Sequence, residues 1–230
     1  MPPVRLTAKL ASEFVGTAFL LAGVVGSGIM AETLTDDVGL QLFQNAVATG
    51  GVLIALILTF GAVSGAHFNP VVTLAERALG GIDTPTALSY IGAQIAGAIT
   101  GTLAANVMFD LAVIEWSTKD RSAGHLVFAE VIATLGLLLV IFGIVRSGRP
   151  EGVAYAVGAY ITGAYYFTSS TSFANPAVTI ARTFSDTFAG IEPSSAPAFI
   201  GAQFVGLVVA IALISVIFPD AGAGAATAEG

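Results

Sequence analysis

A polar, proline-bearing interruption occurs twice in an otherwise apolar chain, and the pair narrows the folds open to it. The first copy is Ser64-Gly65-Ala66-His67-Phe68-Asn69-Pro70-Val71-Val72-Thr73. The second, Thr171-Ser172-Phe173-Ala174-Asn175-Pro176-Ala177-Val178-Thr179, repeats its order of Asn, Pro, small or β-branched residues and Thr. Asn is a favoured helix N-cap, and Pro suits the first helical position because its φ is preset and its missing N–H would have had no partner there. Each Asn-Pro therefore predicts a short helix, over 69–79 and 175–184. Neither reaches the roughly 20 apolar residues that a bilayer span needs.

Composition decides what surrounds these helices. Hydrophobic residues make up 55% of the 230 and charged residues 10%, against roughly 25% charged in a soluble domain. The chain reads as a polytopic protein of the lipid bilayer. Its net charge of -7 comes from acids in short connections, such as Glu32, Asp36, Asp37 and Glu115, and it has no basic run, so nucleic acid is not an expected partner. There is no cysteine and there are two histidines, so thiolate chemistry is excluded and no metal centre is expected. No nucleophile–base pair in a recognisable context and no phosphate-binding glycine motif is present, which predicts no enzyme activity and no cofactor. Arg5 and Lys9 ahead of an apolar stretch look like the start of a signal peptide, but Glu13 inside that stretch and its counterpart in the second half favour a span.

Apolar segments fall at 10–30, 40–62, 86–109, 126–145, 153–168 and 198–218, the fifth being short. The two Asn-Pro inserts follow the second and the fifth, so each half holds three spans and one insert. Three anchors support a duplication: Glu13 matches Glu130, Asn69 matches Asn175, and Tyr90-Ile-Gly-Ala-Gln94 matches Phe199-Ile-Gly-Ala-Gln203. An odd number of spans per half inverts the second copy relative to the first. The expected organisation is one pore domain, made of a first repeat over 1–112, a second over 126–220 and a flexible tail over 221–230. Arg5, Lys9, Arg77, Arg146 and Arg149 fall on one side and Lys119, Arg121 and Arg182 on the other, which favours cytoplasmic termini. Gly97 and Gly101 have the spacing that lets helices approach closely in lipid.

Non-helical backbone at membrane depth is tolerated only where protein buries it or water lines it, so two polar inserts imply an aqueous path between the repeats. Half-helices meeting N-terminus to N-terminus direct their positive dipole ends at the centre of that path and repel cations. Each Asn oxygen is expected to cap its own helix while its NH2 donates to a passing solute. Glu13 and Glu130, inside apolar spans, are either proton-relay candidates or structural acids.

With its Ser-Gly-Ala-His-Phe-Asn-Pro, second Asn-Pro-Ala, Glu13 and Gln94, the chain resembles the major intrinsic protein family, the aquaporins and aquaglyceroporins, over essentially its whole length. The resemblance implies an all-α membrane protein, an inverted repeat of six transmembrane helices plus two re-entrant half-helices, with a pore in each subunit of a homotetramer. It assigns Asn69, Pro70, Val71, Asn175, Pro176 and Ala177 to the pore centre and gives Glu13 and Glu130 the task of holding the loops. Counting without gaps from each Asn, it places an outer filter at Thr49, Gly163, Ser172 and Val178. The family usually has Arg where this chain has Val178, and in that respect the sequence resembles an arsenic-associated bacterial aquaglyceroporin branch. The substrates so implied are small neutral solutes: arsenite, methylated arsenicals, antimonite, glycerol and water. Arg182, four residues beyond Val178, either restores part of the missing positive field in a vestibule or binds carbonyls or lipid headgroups near the surface. His67 either lines the pore or braces its loop. Tyr165, Tyr166 and Phe167 are expected as interfacial anchors. The expected site is the inner membrane of a prokaryotic cell. The alternatives are an orthodox water channel, a polyol facilitator without an arsenic role, a coupled secondary transporter and a closed structural tetramer.

Overall fold

The computed structural model describes residues 4–219, so the tail expected over 221–230 lies outside the described residues. Among the described residues the chain forms eight α-helices and no strand: α1 Leu6–Leu34, α2 Val38–Ser64, α3 Pro70–Ala78, α4 Thr84–Met108, α5 Gly124–Arg146, α6 Val153–Phe167, α7 Pro176–Ala181 and α8 Ala196–Ile217. Local chemistry sets several of the boundaries. Asp37 caps α2 by accepting from Leu40 N, and Asp83 caps α4 by accepting from Thr86 N. Gly65, at φ 90°, ends α2 in the left-handed conformation that glycine adopts without steric cost.

Five of the helices are long and apolar enough to cross a membrane. The fifth of the predicted spans, α6, has 15 residues, about 22 Å at 1.5 Å per residue and short of a hydrocarbon core of about 30 Å. A 3-10 turn over Pro150–Gly152 precedes it. The half-helix predicted over 175–184 is α-helical only to Ala181 and continues as a 3-10 turn over Arg182–Phe184.

Helix packing repeats with a twofold pattern. In the first half α1 packs on α2 and α4; in the second α5 packs on α6 and α8. Across the halves α2 meets α6, α3 meets α7, and each short helix also meets the last helix of the other half. Small residues make the closest approaches possible. A side chain on Gly97 or Gly101 of α4 would run into the α1 backbone at Phe14 O or Ala18 O, and one on Gly206 of α8 would run into Val131 O of α5.

The long α4–α5 connection is tied across one end of the second half. Glu115 N and Ser117 N donate to Phe184 O and Thr183 O, and Glu192 N donates to Lys119 O. Asp186 accepts from Thr118 N at 2.8 Å and from the Thr118 hydroxyl.

Candidate functional site

The two Asn-Pro loops meet. Asn69 Oδ1 accepts from Val71 N and so caps α3, while Asn69 Nδ2 donates across to Ala174 O at 2.8 Å. Asn175 mirrors it: Oδ1 accepts from Ala177 N and Val178 N, and Nδ2 donates to Phe68 O at 2.9 Å. Each amide therefore commits one hydrogen to the opposite loop and keeps the other, so only half of its donor capacity is left for a solute.

Both loops contain residues in the left-handed region without being glycine: Ala66 and Phe68 at φ 50° and 49°, Ser172 and Ala174 at 52° and 48°. Such backbone costs about 1–2 kcal/mol per residue and turns successive N–H groups to one side, forming an anion-binding nest. A carboxylate occupies each nest. Glu13 accepts from His67 N, Phe68 N, Ser64 Oγ and Gln94 Nε2. Glu130 accepts from Phe173 N, Ala174 N, Ser170 Oγ and Gln203 Nε2. Each glutamine amide also donates to a threonine of the short helix, Gln94 to Thr73 and Gln203 to Thr179. Four donors occupy about all the lone-pair sites of a carboxylate.

A cavity of about 500 Å³ runs beside these loops. Asn69, Asn175, Thr49, Val178, Ser172 and His67 line it, and so does Arg182. Pro70, Val71, Pro176 and Ala177 do not; they are buried behind the wall, Val71 in the cluster with Leu138 and Leu207 and Ala177 in the main core. The lining follows α6 from Ala154 to Tyr165, about 16 Å along a helix. Apolar side chains make up much of the wall, among them Leu20, Val24, Leu53 and Leu137.

Gly163 is the correction. It is exposed on α6 with open space where a side chain would be, and it does not line the cavity. The gap-free count from Asn175 misses by two residues, about 200° around a helix, and so lands on the opposite face. Tyr165 takes the place instead. It is 3% exposed, lines the cavity, and its hydroxyl lies 3.1 Å from Thr49 Oγ1. Of the three aromatics expected at the interface, only Tyr166 and Phe167 are exposed. The signal that finds Tyr165 is the stripe Ala154, Val157, Ile161, Tyr165, all buried at helical spacing.

Arg182 is 2% exposed and faces the lumen. Its Nε donates to Ala189 O and its guanidinium stacks over the Phe173 ring at 3.5 Å, which removes it from any headgroup. Arg121 also folds inward from the α4–α5 connection, donating to Gly190 O and Ser170 O. Sequence reasoning counted it as a loop charge. At the repeat-equivalent position to Arg182 stands Glu76, which lines the lumen together with Glu151. His67 Nδ1 lies 3.1 Å from Thr73 Oγ1 and its ring sits edge-on to Tyr90, so this side chain both lines the cavity and braces its loop.

Comparison with known proteins bears on this geometry. The sequence pattern of the family described as MIP, major intrinsic protein, matches residues 3–152. Aquaglyceroporin AqpS of Rhizobium meliloti (strain 1021) is 46% identical over 214 residues, 93% of this chain and 91% of that protein. Probable aquaporin NIP4-2 of Arabidopsis thaliana is 30% identical over 69% of this chain, which spans 56% of that protein's length. The X-ray structure of the aquaglyceroporin from Plasmodium falciparum is similar in fold at a TM-score of 0.74, with 23% identity, covering 94% of this chain and 98% of that one.

Proposed function

The chain belongs to the major intrinsic protein family, whose members are membrane-spanning channels and not enzymes, and from that premise we propose that it conducts small uncharged metalloid hydroxides and polyols in preference to water. The solutes are arsenite, methylated arsenicals, antimonite and glycerol. Arsenous acid is neutral at physiological pH and offers three hydroxyls, much as glycerol does.

Val178 carries this reading. It lines the lumen directly after the Asn175 cap, at the position where the family resemblance calls for Arg. An isopropyl group there supplies neither the donors nor the charge of a guanidinium, and leaves a wider, less polar passage. Thr49 and Tyr165 bring hydroxyls to the lining. Arg182, one turn farther out, keeps a positive charge in the mouth that opposes cations. Asn69 and Asn175 offer a solute their remaining amide hydrogens. Glu13 and Glu130 act as scaffold acids, because their oxygens are already engaged. The same engagement argues against the coupled transporter, which needs titrating groups free to bind an ion.

The proposed setting is a homotetramer in a prokaryotic inner membrane with both termini cytoplasmic. Burial of Arg121 and Arg182 supports that orientation, since it leaves Lys119 as the surface cation of the outer side against Arg5, Lys9, Arg77, Arg146 and Arg149.

Arsenite, glycerol and water permeabilities of proteoliposomes holding the wild type or Val178→Arg test the reading. The substitution is expected to cut arsenite and glycerol flux at least tenfold while water still passes. Low arsenite flux in both proteins overturns the arsenic reading and leaves polyols or water as the substrate.

A further inference from the structure

Two arginines converge on one ring at the outer end of the lumen. The guanidinium carbon of Arg182 lies 3.5 Å from the Phe173 ring centre and that of Arg121 lies 5.0 Å from it. Among the described residues their hydrogen bonds go to backbone carbonyls alone, Ala189 for Arg182 and Gly190 and Ser170 for Arg121. The carboxylate that acts electrostatically on both, Glu130, already accepts from Ser170 Oγ, Gln203 and two backbone N–H groups. It has no lone pair to offer a guanidinium. Glu130 supplies one negative charge against two guanidinium groups, so the pair keeps a net positive charge.

Arg182 is the member that reaches the lumen, and its terminal nitrogens have no acceptor among the described residues. A second observation is independent of the charges. Ser172, 3% exposed and on the same lumen wall, has a buried hydroxyl with no partner among the described residues. Buried polar groups are ordinarily satisfied, and leaving a donor idle is costly. Idle guanidinium hydrogens and an idle hydroxyl on one wall form a set of donors that lacks an acceptor. Oxygens of a phosphate-like anion match such a set, because a guanidinium can present two parallel N–H groups to them.

We propose that the outer end of the lumen is a binding site for a small oxyanion, held by the terminal nitrogens of Arg182 and by Ser172 Oγ, and that the bound anion plugs the channel. The plugging rests on the channel reading given above; the site itself does not. Passage fails for physical reasons. Past Val178 the spare amide hydrogens of Asn69 and Asn175 are too few to replace an anion's water among Leu20, Val24, Leu53 and Leu137, and the carboxylates of Glu76 and Glu151 also line the lumen and repel it. A neutral trihydroxy solute meets neither barrier to the same degree. Because Arg182 lines the lumen and not the apolar flank, the occupant is a dissolved anion.

The test uses the full chain and inorganic phosphate as the probe, with sodium chloride at matched ionic strength as control. Isothermal titration calorimetry of detergent-purified protein is expected to show saturable phosphate binding that chloride does not reproduce. Affinity should fall about tenfold in Arg182→Gln, the scale of one charge-assisted hydrogen bond, and by a smaller factor in Ser172→Ala. If Arg182→Gln does not fold, Ser172→Ala carries the comparison, since it deletes one hydroxyl. In proteoliposomes, external phosphate should reduce glycerol flux over the concentration range in which it binds. Absence of saturable binding, or affinity unchanged in the variants, overturns the site. Binding with undiminished glycerol flux overturns the plug. A wild type that conducts neither glycerol nor water overturns the channel reading and the plug together, while the calorimetry still judges the site.

Discussion

In the first half, the carbonyl of Ser64 accepts from the hydroxyl of Tyr90; in the second, the equivalent carbonyl of Ser170 accepts from the Arg121 guanidinium. Phe199 stands where Tyr90 does, against Phe173 as Tyr90 stands against His67, but it has no hydroxyl to give. The second half thus draws a charged side chain out of a connecting segment to satisfy a group that the first half satisfies within its own bundle. The backbone plans of the two loops agree in their left-handed residues, in their acid-filled nests and in their threonine–glutamine pairs. Their lining chemistry differs, with His67 against Phe173 and Glu76 against Arg182. Backbone satisfaction in a membrane is obligatory and so holds the two scaffolds alike, while side chains facing water are free to diverge.

Removing the acids is the most forceful way to break that likeness. Glu13→Leu and Glu130→Leu each strand two backbone N–H groups, a serine hydroxyl and a glutamine amide, at about 1–3 kcal/mol per group. Both variants are expected to lose the folded protein, seen as loss of the cooperative thermal transition in detergent. Near-native stability in one of them would mean that the halves are not held in the same way.

Arg121→Gln strikes the second half alone. It frees the Ser170 and Gly190 carbonyls and should lower stability by about 2–3 kcal/mol. Adding Phe199→Tyr restores a hydroxyl at the Tyr90 position and should recover part of the loss in a double-mutant cycle. If the second change brings no recovery, the two carbonyls are not equivalent.

A finer contrast lies in the asparagines. Asn69→Ala and Asn175→Ala each remove a cap and a bond between the loops, worth together about 1–2 kcal/mol. Asn175 caps two N–H groups where Asn69 caps one, so the Asn175 variant should have the lower thermal midpoint. The reverse order would contradict the capping asymmetry.

The smallest effect belongs to the α4–α5 connection. Burial and the charges of Arg121 and Arg182 push the Lys119 ammonium down to about 8, against the opposing pull of Glu32 and Asp186. Its pKa is then lower folded than unfolded, so between about pH 8 and the ordinary lysine value the unfolded chain binds more protons and stability rises with pH. Below pH 8 both states are protonated and the trend vanishes. Although its ammonium is partly desolvated, the Lys119 side chain remains open to solvent, which screens these charges, so the rise is slight. A thermal midpoint measured from pH 7 to 10 should show it in the wild type and lose it in Lys119→Gln.

Much of this was legible in the sequence because the repeated residues do the same thing in both halves. Glu13 and Glu130, the two Asn-Pro pairs, and Gln94 and Gln203 are recognisable as partners, since a nest, a cap and a buried amide each accept few residue types. Tyr165 escaped because a gap-free count from Asn175 assumes a fixed number of residues between α6 and the loop, and the helical stripe that ends at Tyr165 was not used to set the face. Arg121 escaped for a related reason. Its burial follows from the α4–α5 connection folding onto residues 182–195, a long-range contact in a stretch with no periodicity. Arg182 was read two ways, and it shows a feature of each, lining the cavity while donating to the Ala189 carbonyl.

Each central asparagine finds its acceptor in the other half of the chain, Asn69 at a distance of 105 residues and Asn175 at 107. During synthesis, then, the first loop is made and threaded into the bilayer well before its partner exists. Its amide must wait on water or lipid-facing neighbours until residue 174 arrives. Joining of the two loops therefore waits until the second has been made, and a chain truncated before Ala174 leaves the first loop unfinished too. The two halves are obligate co-folders. Supplied as separate polypeptides, each would lack the acceptor that only the other carries.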